Sequence, residues 1–142
     1  MNNKKNVYEQ YKEIEIKTAS PGKLIVIMYD GAIRFLKLAK EAIDEKNIEK
    51  AHNNIVKAQD IIMELLLSLN MEAGEIAVKL QSLYIFMNKL LMEANIKKEK
   101  EPIDRVLKML TELREVWNEV AKKSENNSEF TPDEKRLVNI VL

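Results

Sequence analysis

The apolar positions of this chain recur at intervals of three and four residues over most of its length, the spacing of amphipathic helices rather than of strands. Thr18-Ala19-Ser20-Pro21-Gly22 is the first clear boundary: Ser20 suits an N-cap and Pro21 a first helical residue, because proline lacks an N–H that would be unsatisfied there. A helix from Pro21 to about Lys46 follows, about 26 residues or about 39 Å long. Asn47 can cap a second helix reaching about Asn70. A third covers about Glu72 to Asn95, and a fourth runs from near Pro102 to near Lys123. Helices of similar length with short connections predict an all-α fold, an antiparallel four-helix bundle over residues 20–123. Residues 1–19 form an N-terminal arm with one short cap helix. Residues 124–142 form a C-terminal extension, a polar linker and then a short amphipathic tail.

At 100° per residue, Ile55, Ala58, Ile62, Leu65, Leu66 and Leu69 share one arc of the second helix. Ile76, Leu80, Leu83, Tyr84, Met87, Leu90, Leu91 and Ala94 do so on the third. Ile103, Val106, Leu110, Leu113, Trp117 and Val120 do so on the fourth, with Asp104, Lys108, Thr111, Glu115 and Glu119 facing away. That fourth helix is one-faced; the others are not. Val78, Ile85 and Met92 recur every seven residues opposite the main stripe of the third helix. Val56, Met63 and Leu67 form an extra stripe on the second. The first long helix carries Ile25, Tyr29, Ile33 and Leu36 across an arc wider than one core face requires. Surplus stripes of this kind are either covered by another layer of the same chain or dock a partner.

The 142 residues bound the chain to one ordinary domain. Three glycines and three prolines leave long stretches uninterrupted, and 46% hydrophobic with 32% charged residues is a globular composition. Lys plus Arg is 23 and Asp plus Glu is 23, so the global basic excess of a nucleic-acid binder is missing. Cysteine is absent, which removes disulfides, thiolate metal sites and thiol chemistry and suits a reducing compartment. The start Met-Asn-Asn-Lys-Lys leads into no apolar run, and no stretch approaches the roughly 20 residues of a membrane span. A cytoplasmic location is the expectation.

Candidate chemistry is thin. A di-metal bundle needs two Glu-x-x-His pairs, and Glu49 with His52 is the single such spacing in a chain with one histidine. A serine or threonine nucleophile finds no patterned base. Gly22 and Gly31 have neither dinucleotide-fold nor P-loop spacing, and Gly31 reads as a place of close helix approach. Glu41 and Glu45 beside Lys37 and Lys40 read as a solvated face. Neither a catalytic residue, a metal nor a cofactor is expected. Among seven methionines, Met63 and Met92 lie on the surplus stripes, where an adaptable thioether suits varied partner side chains.

Thr18-Ala19-Ser20-Pro21-Gly22-Lys23-Leu24, followed by Met28-Tyr29-Asp30-Gly31-Ala32-Ile33-Arg34-Phe35, resembles the signature of the FliS family. Asn54 to Leu65, Glu93-Ala94-Asn95-Ile96 and Trp117 agree in order and spacing, and Tyr8 and Tyr11 are similar to that family's tyrosine-bearing arm. The resemblance covers about residues 6 to 122. It implies a non-enzymatic cytoplasmic chaperone that binds the C-terminal segment of flagellin, blocks its premature polymerisation and delivers it to the type III export gate at the membrane. On that basis Ile25, Tyr29, Val56, Met63, Leu67, Val78, Ile85 and Met92 are the expected flagellin-binding residues, with Tyr8 and Tyr11 a self-capping arm in the free state. A homodimer mate is a further candidate partner. An adaptor or regulatory bundle for another flagellar protein, a co-chaperone or anti-sigma factor, is the alternative function.

Two places depart from the family pattern. Ile85 and Leu90 stand where polar residues are usual, and the chain continues past the tryptophan helix with Phe130-Thr131-Pro132-Asp133-Glu134 and Leu137 to Leu142. Thr131 and Glu134 have capping-box spacing with Pro132 at the first helical position, which predicts a short helix. Docking of that tail on an apolar face, in competition with ligand, is one expectation; a contact for a dimer mate or the export gate is the rival.

Overall fold

The computed structural model describes residues 7–18 and 20–141, with the side chains of residues 7, 8, 11, 15, 18 and 141 excepted. Among them are six α-helices and no strand: α1 (Val7–Thr18), α2 (Pro21–Asp44), α3 (Ile48–Leu67), α4 (Glu75–Lys97), α5 (Glu101–Glu125) and α6 (Pro132–Val141). The helix boundaries follow local chemistry. Lys23 N donates to Ser20 Oγ at 3.3 Å to cap α2, and Lys50 N donates to Asn47 Oδ1 at 3.1 Å to cap α3. All three prolines open a helix, where the missing N–H has no partner to lose. The third long helix starts at Glu75 instead of Glu72, because a 3-10 turn at Met71–Ala73 comes first. Asn70 holds that turn through Oδ1, which accepts from Glu72 N at 3.1 Å. Gly74 then reverses the chain at φ +96°, a left-handed conformation that a side chain would strain.

Helices α2 to α5 make the antiparallel bundle, each packed on its neighbours in sequence, with α5 closing back on α2. The core runs from Val26 and Leu36 on α2, through Ile55 and Ile62 on α3 and Met87 and Leu91 on α4, to Ile103 and Leu110 on α5. Gly31 lets α3 come close: Ile61 Cδ1 stands 3.2 Å from where a Cβ would be. Arg114 on α5 forks onto Asp30 on α2, with Nε at 2.7 Å from Oδ1 and Nη2 at 3.5 Å from Oδ2.

The wide apolar arc of α2 is consumed inside the fold. Ile25 and Tyr29, read from the sequence as surplus surface, are 6% and 0% exposed. Leu36 is buried too, and Ile33 packs half-buried on the core. The physical reason is position: α2 contacts both α3 and α5 and also α6, so three neighbours share its arc. Tyr29 reaches across the bundle diagonal to a hydroxyl–hydroxyl hydrogen bond with Tyr84 on α4 at 2.5 Å. The Trp117 indole N–H lies near enough to favour charge on Tyr29, yet without hydrogen-bonding geometry, and has no hydrogen-bond partner among the described residues. Burial raises the Tyr84 hydroxyl to about 12 and Tyr29 well above its ordinary value.

Helix α6 seals the bundle end where α3 stops and α4 begins. Leu137 and Ile140 join the core, while α6 lies against α2, α4 and the 3-10 turn. Thr131 and Glu134 form the reciprocal cap their spacing predicts: Thr131 N donates to Glu134 Oε1 at 2.8 Å, and Glu134 N to Thr131 Oγ1 at 3.2 Å. Lys123 on α5 also reaches Glu134 Oε1 at 2.6 Å, and it is the main cause of that carboxyl's lowered pKa. Asn70 N donates to Ile140 O at 2.9 Å, satisfying a carbonyl that the end of α6 would leave orphaned. The tail therefore covers the end of the core rather than a lateral stripe; Val78 near that end is still exposed.

Two stability measurements follow from these contacts. Ile140→Ala leaves a cavity under α6 and should cost about 2–5 kcal/mol in urea unfolding, the range for truncating a buried isoleucine. Folding raises the Tyr29 and Tyr84 pKa values, so their stabilisation is complete below about pH 10 and is lost as pH rises toward 12. Tyr84 by itself should take about 2–3 kcal/mol from the wild-type unfolding free energy across that window, and Tyr29 adds to the loss. In Tyr29→Phe/Tyr84→Phe, with both hydroxyls removed together, that part of the slope should vanish.

Candidate functional site

Two helices keep apolar surface that nothing in the described fold covers. On α3 these residues are Met63 and Leu67; on α4 they are Val78, Ile85 and Met92. They range from 44% exposed at Met63 to 72% at Leu67, well beyond what scattered surface apolar residues require of one helix pair. Val56 is half-buried beside them.

The two stripes face each other across a polar seam. Gln59 Nε2 donates to Asn88 O at 3.5 Å and Asn88 Nδ2 donates back to Gln59 O at 3.4 Å. Two turns farther along, Asn95 Nδ2 lies 2.9 Å from His52 Nδ1. These pairs fix the antiparallel register of α3 on α4. That register sets Val56 against Met92, Met63 against Ile85 and Leu67 near Val78, so six residues line a shallow groove in three rungs. His52 is used here as a seam residue.

Of the eight residues singled out in the sequence, six therefore lie together along α3 and α4. Ile25 and Tyr29 do not join them, being closed in the core on the far side of the seam. The side chains of Tyr8 and Tyr11 lie outside the described residues, so the capping arm has no structural account beyond the helix α1 that carries it. Of the two residues that depart from the family pattern, Leu90 is buried in the core and Ile85 stands in the groove.

The stripe extends farther than its heptad spacing indicates. Ile96, exposed at the end of α4, continues the line from Met92 by an i, i+4 step and was reachable from the sequence by relaxing the strict seven-residue interval. Phe86 is exposed on the outer side of α4, where the Arg105 guanidinium of α5 lies 5.6 Å from its ring centre.

Nothing in the groove resembles a reaction centre. Among the described residues there is no cluster of three or more His, Cys, Asp or Glu side chains placed to hold a metal ion. None of their helices is long and apolar enough to cross a membrane. What the surface offers is two apolar stripes, spaced by one or two helical turns, on either side of one seam.

Comparison with known proteins bears on what that surface serves. A family model described as flagellar protein FliS matches residues 4–124. The flagellar secretion chaperone FliS of Bacillus subtilis strain 168 is 33% identical over 114 residues, spanning 80% of this chain and 85% of that protein. Its counterpart in Vibrio cholerae is 32% identical over 123 residues, 83% and 90% of the two chains. That of Campylobacter jejuni is 34% identical over 114 residues, 80% and 89%. Helix α6 lies beyond the matched residues, whereas the groove lies wholly within them. The chain belongs to the FliS family of flagellar secretion chaperones, and it is a chaperone rather than an enzyme.

Proposed function

We propose that this protein holds the C-terminal segment of flagellin along the α3–α4 groove, keeps it from polymerising and delivers it to the flagellar type III export apparatus. The observation that carries the reading is the pair of register-matched apolar stripes, Val56–Met63–Leu67 and Val78–Ile85–Met92, exposed at every position but the half-buried Val56. Family membership supplies the partner, because a secretion chaperone of the flagellum has a flagellar protein to hold.

An amphipathic segment in solution leaves its apolar side in water or buries it on another copy of itself. Laying that side into the groove removes apolar area from water at about 25 cal/mol per Å², less the entropy of ordering the segment. Binding and helix formation then occur together, and no bond is made or broken. The exposed methionines at Met63 and Met92 have three rotatable bonds each and adapt to the side chains they meet. Self-association through the same groove is the competing use of this surface, and light scattering on the free protein distinguishes the two.

Mixing the protein with a flagellin C-terminal segment should raise helical circular dichroism above the sum of the parts and give a complex that survives gel filtration. Ile85→Asp/Met92→Asp removes two contacts of about 1.5–3 kcal/mol each and should weaken binding in calorimetry by about 100-fold or more. Both positions are exposed, so the variant's own helix content should not change. Undiminished affinity in that variant overturns the placement of the segment on α3 and α4.

A further inference from the structure

We infer that the groove's occupant is an amphipathic helix carrying a lysine or arginine on its edge nearest α3, and that Asp60 and Glu64 receive this side chain. The inference rests on the docking reading above and deepens it by naming a charge that the partner brings.

Along the outer flank of α3, a shallow depression is lined by Met28 of α2 with Asp60, Ile61, Met63 and Glu64. Its floor is apolar and its rim carries two carboxylates four residues apart, one helical turn, on the same face. Met63 belongs both to this depression and to the central rung of the groove, so the two are continuous. Neither Asp60 nor Glu64 has an ion-pair or hydrogen-bond partner for its carboxylate among the described residues. The opposite flank differs: on α4, Glu75 and Glu93 are each paired with a lysine one turn on, Lys79 and Lys97. Unpaired negative charge thus sits on one side of the groove only.

A long basic side chain suits such a place on both counts. Its methylene stem can lie on Met63, Ile61 and Met28 while its charged end reaches the two carboxylates, the divided burial typical of lysine and arginine. Charge at the rim of an apolar site contributes orientation and association rate more than raw affinity. Here it distinguishes the two edges of the bound helix, and so sets which edge lies over α3.

The test uses the full-length protein and a flagellin C-terminal segment. Asp60→Lys/Glu64→Lys should weaken binding about 10-fold or more at 50 mM salt, mainly by slower association, with much of the loss erased at 500 mM salt. Glu112→Lys/Glu119→Lys, on the exposed face of α5, makes the same change in net charge away from the groove and should weaken binding far less. Replacing the segment's basic residues singly by glutamine should reveal one whose loss is felt by the wild type and not by the reversed variant. Equal affinities for the two charge-reversed proteins at low salt, or a loss from Asp60→Lys/Glu64→Lys that salt leaves untouched, overturns the inference while leaving the docking reading intact. Failure of the wild-type protein to bind the segment overturns both.

Discussion

The burial of α2 between α3 and α5 is the packing arrangement on which the rest of the molecule depends. Its arc from Ile25 through Tyr29 and Ala32 to Leu36 is too wide for one neighbour, and the bundle supplies three. Tyr29 could enter a core only with its hydroxyl satisfied, since an unpaired buried hydroxyl costs more than a hydrogen bond gains. Tyr84, arriving from the diagonal helix, provides that partner and is closed in by the same contact. Side chains of this size fix the separation of α2 and α4, and with it the lines along which α3 and α5 pack between them.

With the surplus of α2 consumed, the paired apolar stripes left over lie on α3 and α4. Each of those helices satisfies the core with one arc, and their junction is held by polar pairs, Gln59 with Asn88 and His52 with Asn95, rather than by the apolar residues beside it. A seam closed by Met63, Ile85 and Met92 would have buried that area within the fold. Because amide and imidazole groups close it instead, the apolar residues stay outside it in register. The division of labour suits a chaperone, which must be folded when empty and still hold surface in reserve.

Helix α6 solves a different problem. The bundle ends unevenly near Asn70, where α3 stops and a 3-10 turn leads into Gly74, leaving the core open between α2 and α4. Leu137 and Ile140 fill that opening, and Glu134 ties the helix both to its own Thr131 and to Lys123. The tail acts as part of the core and leaves the lateral groove free, although it lies outside the residues that match the family.

Much of this was legible in the amino-acid sequence alone. Ser20, Asn47 and the three prolines mark helix starts through local hydrogen bonding, which needs no knowledge of neighbours, and the one-faced pattern of α5 assigns its buried side directly. The stripes on α3 and α4 were equally visible, because a residue opposite the main arc of a helix is on its other side in any fold. What periodicity could not do was decide between equal arcs. Tyr29 and Met63 both stand on apolar stripes wider than one interface, yet one is fully buried and the other exposed. Only the tertiary structure decided that, because the number of neighbours around each helix is a property of the assembled bundle. It likewise set the register that aligns Met63 with Ile85, and it placed the tail at the end of the bundle, since both depend on contacts between residues far apart in the chain.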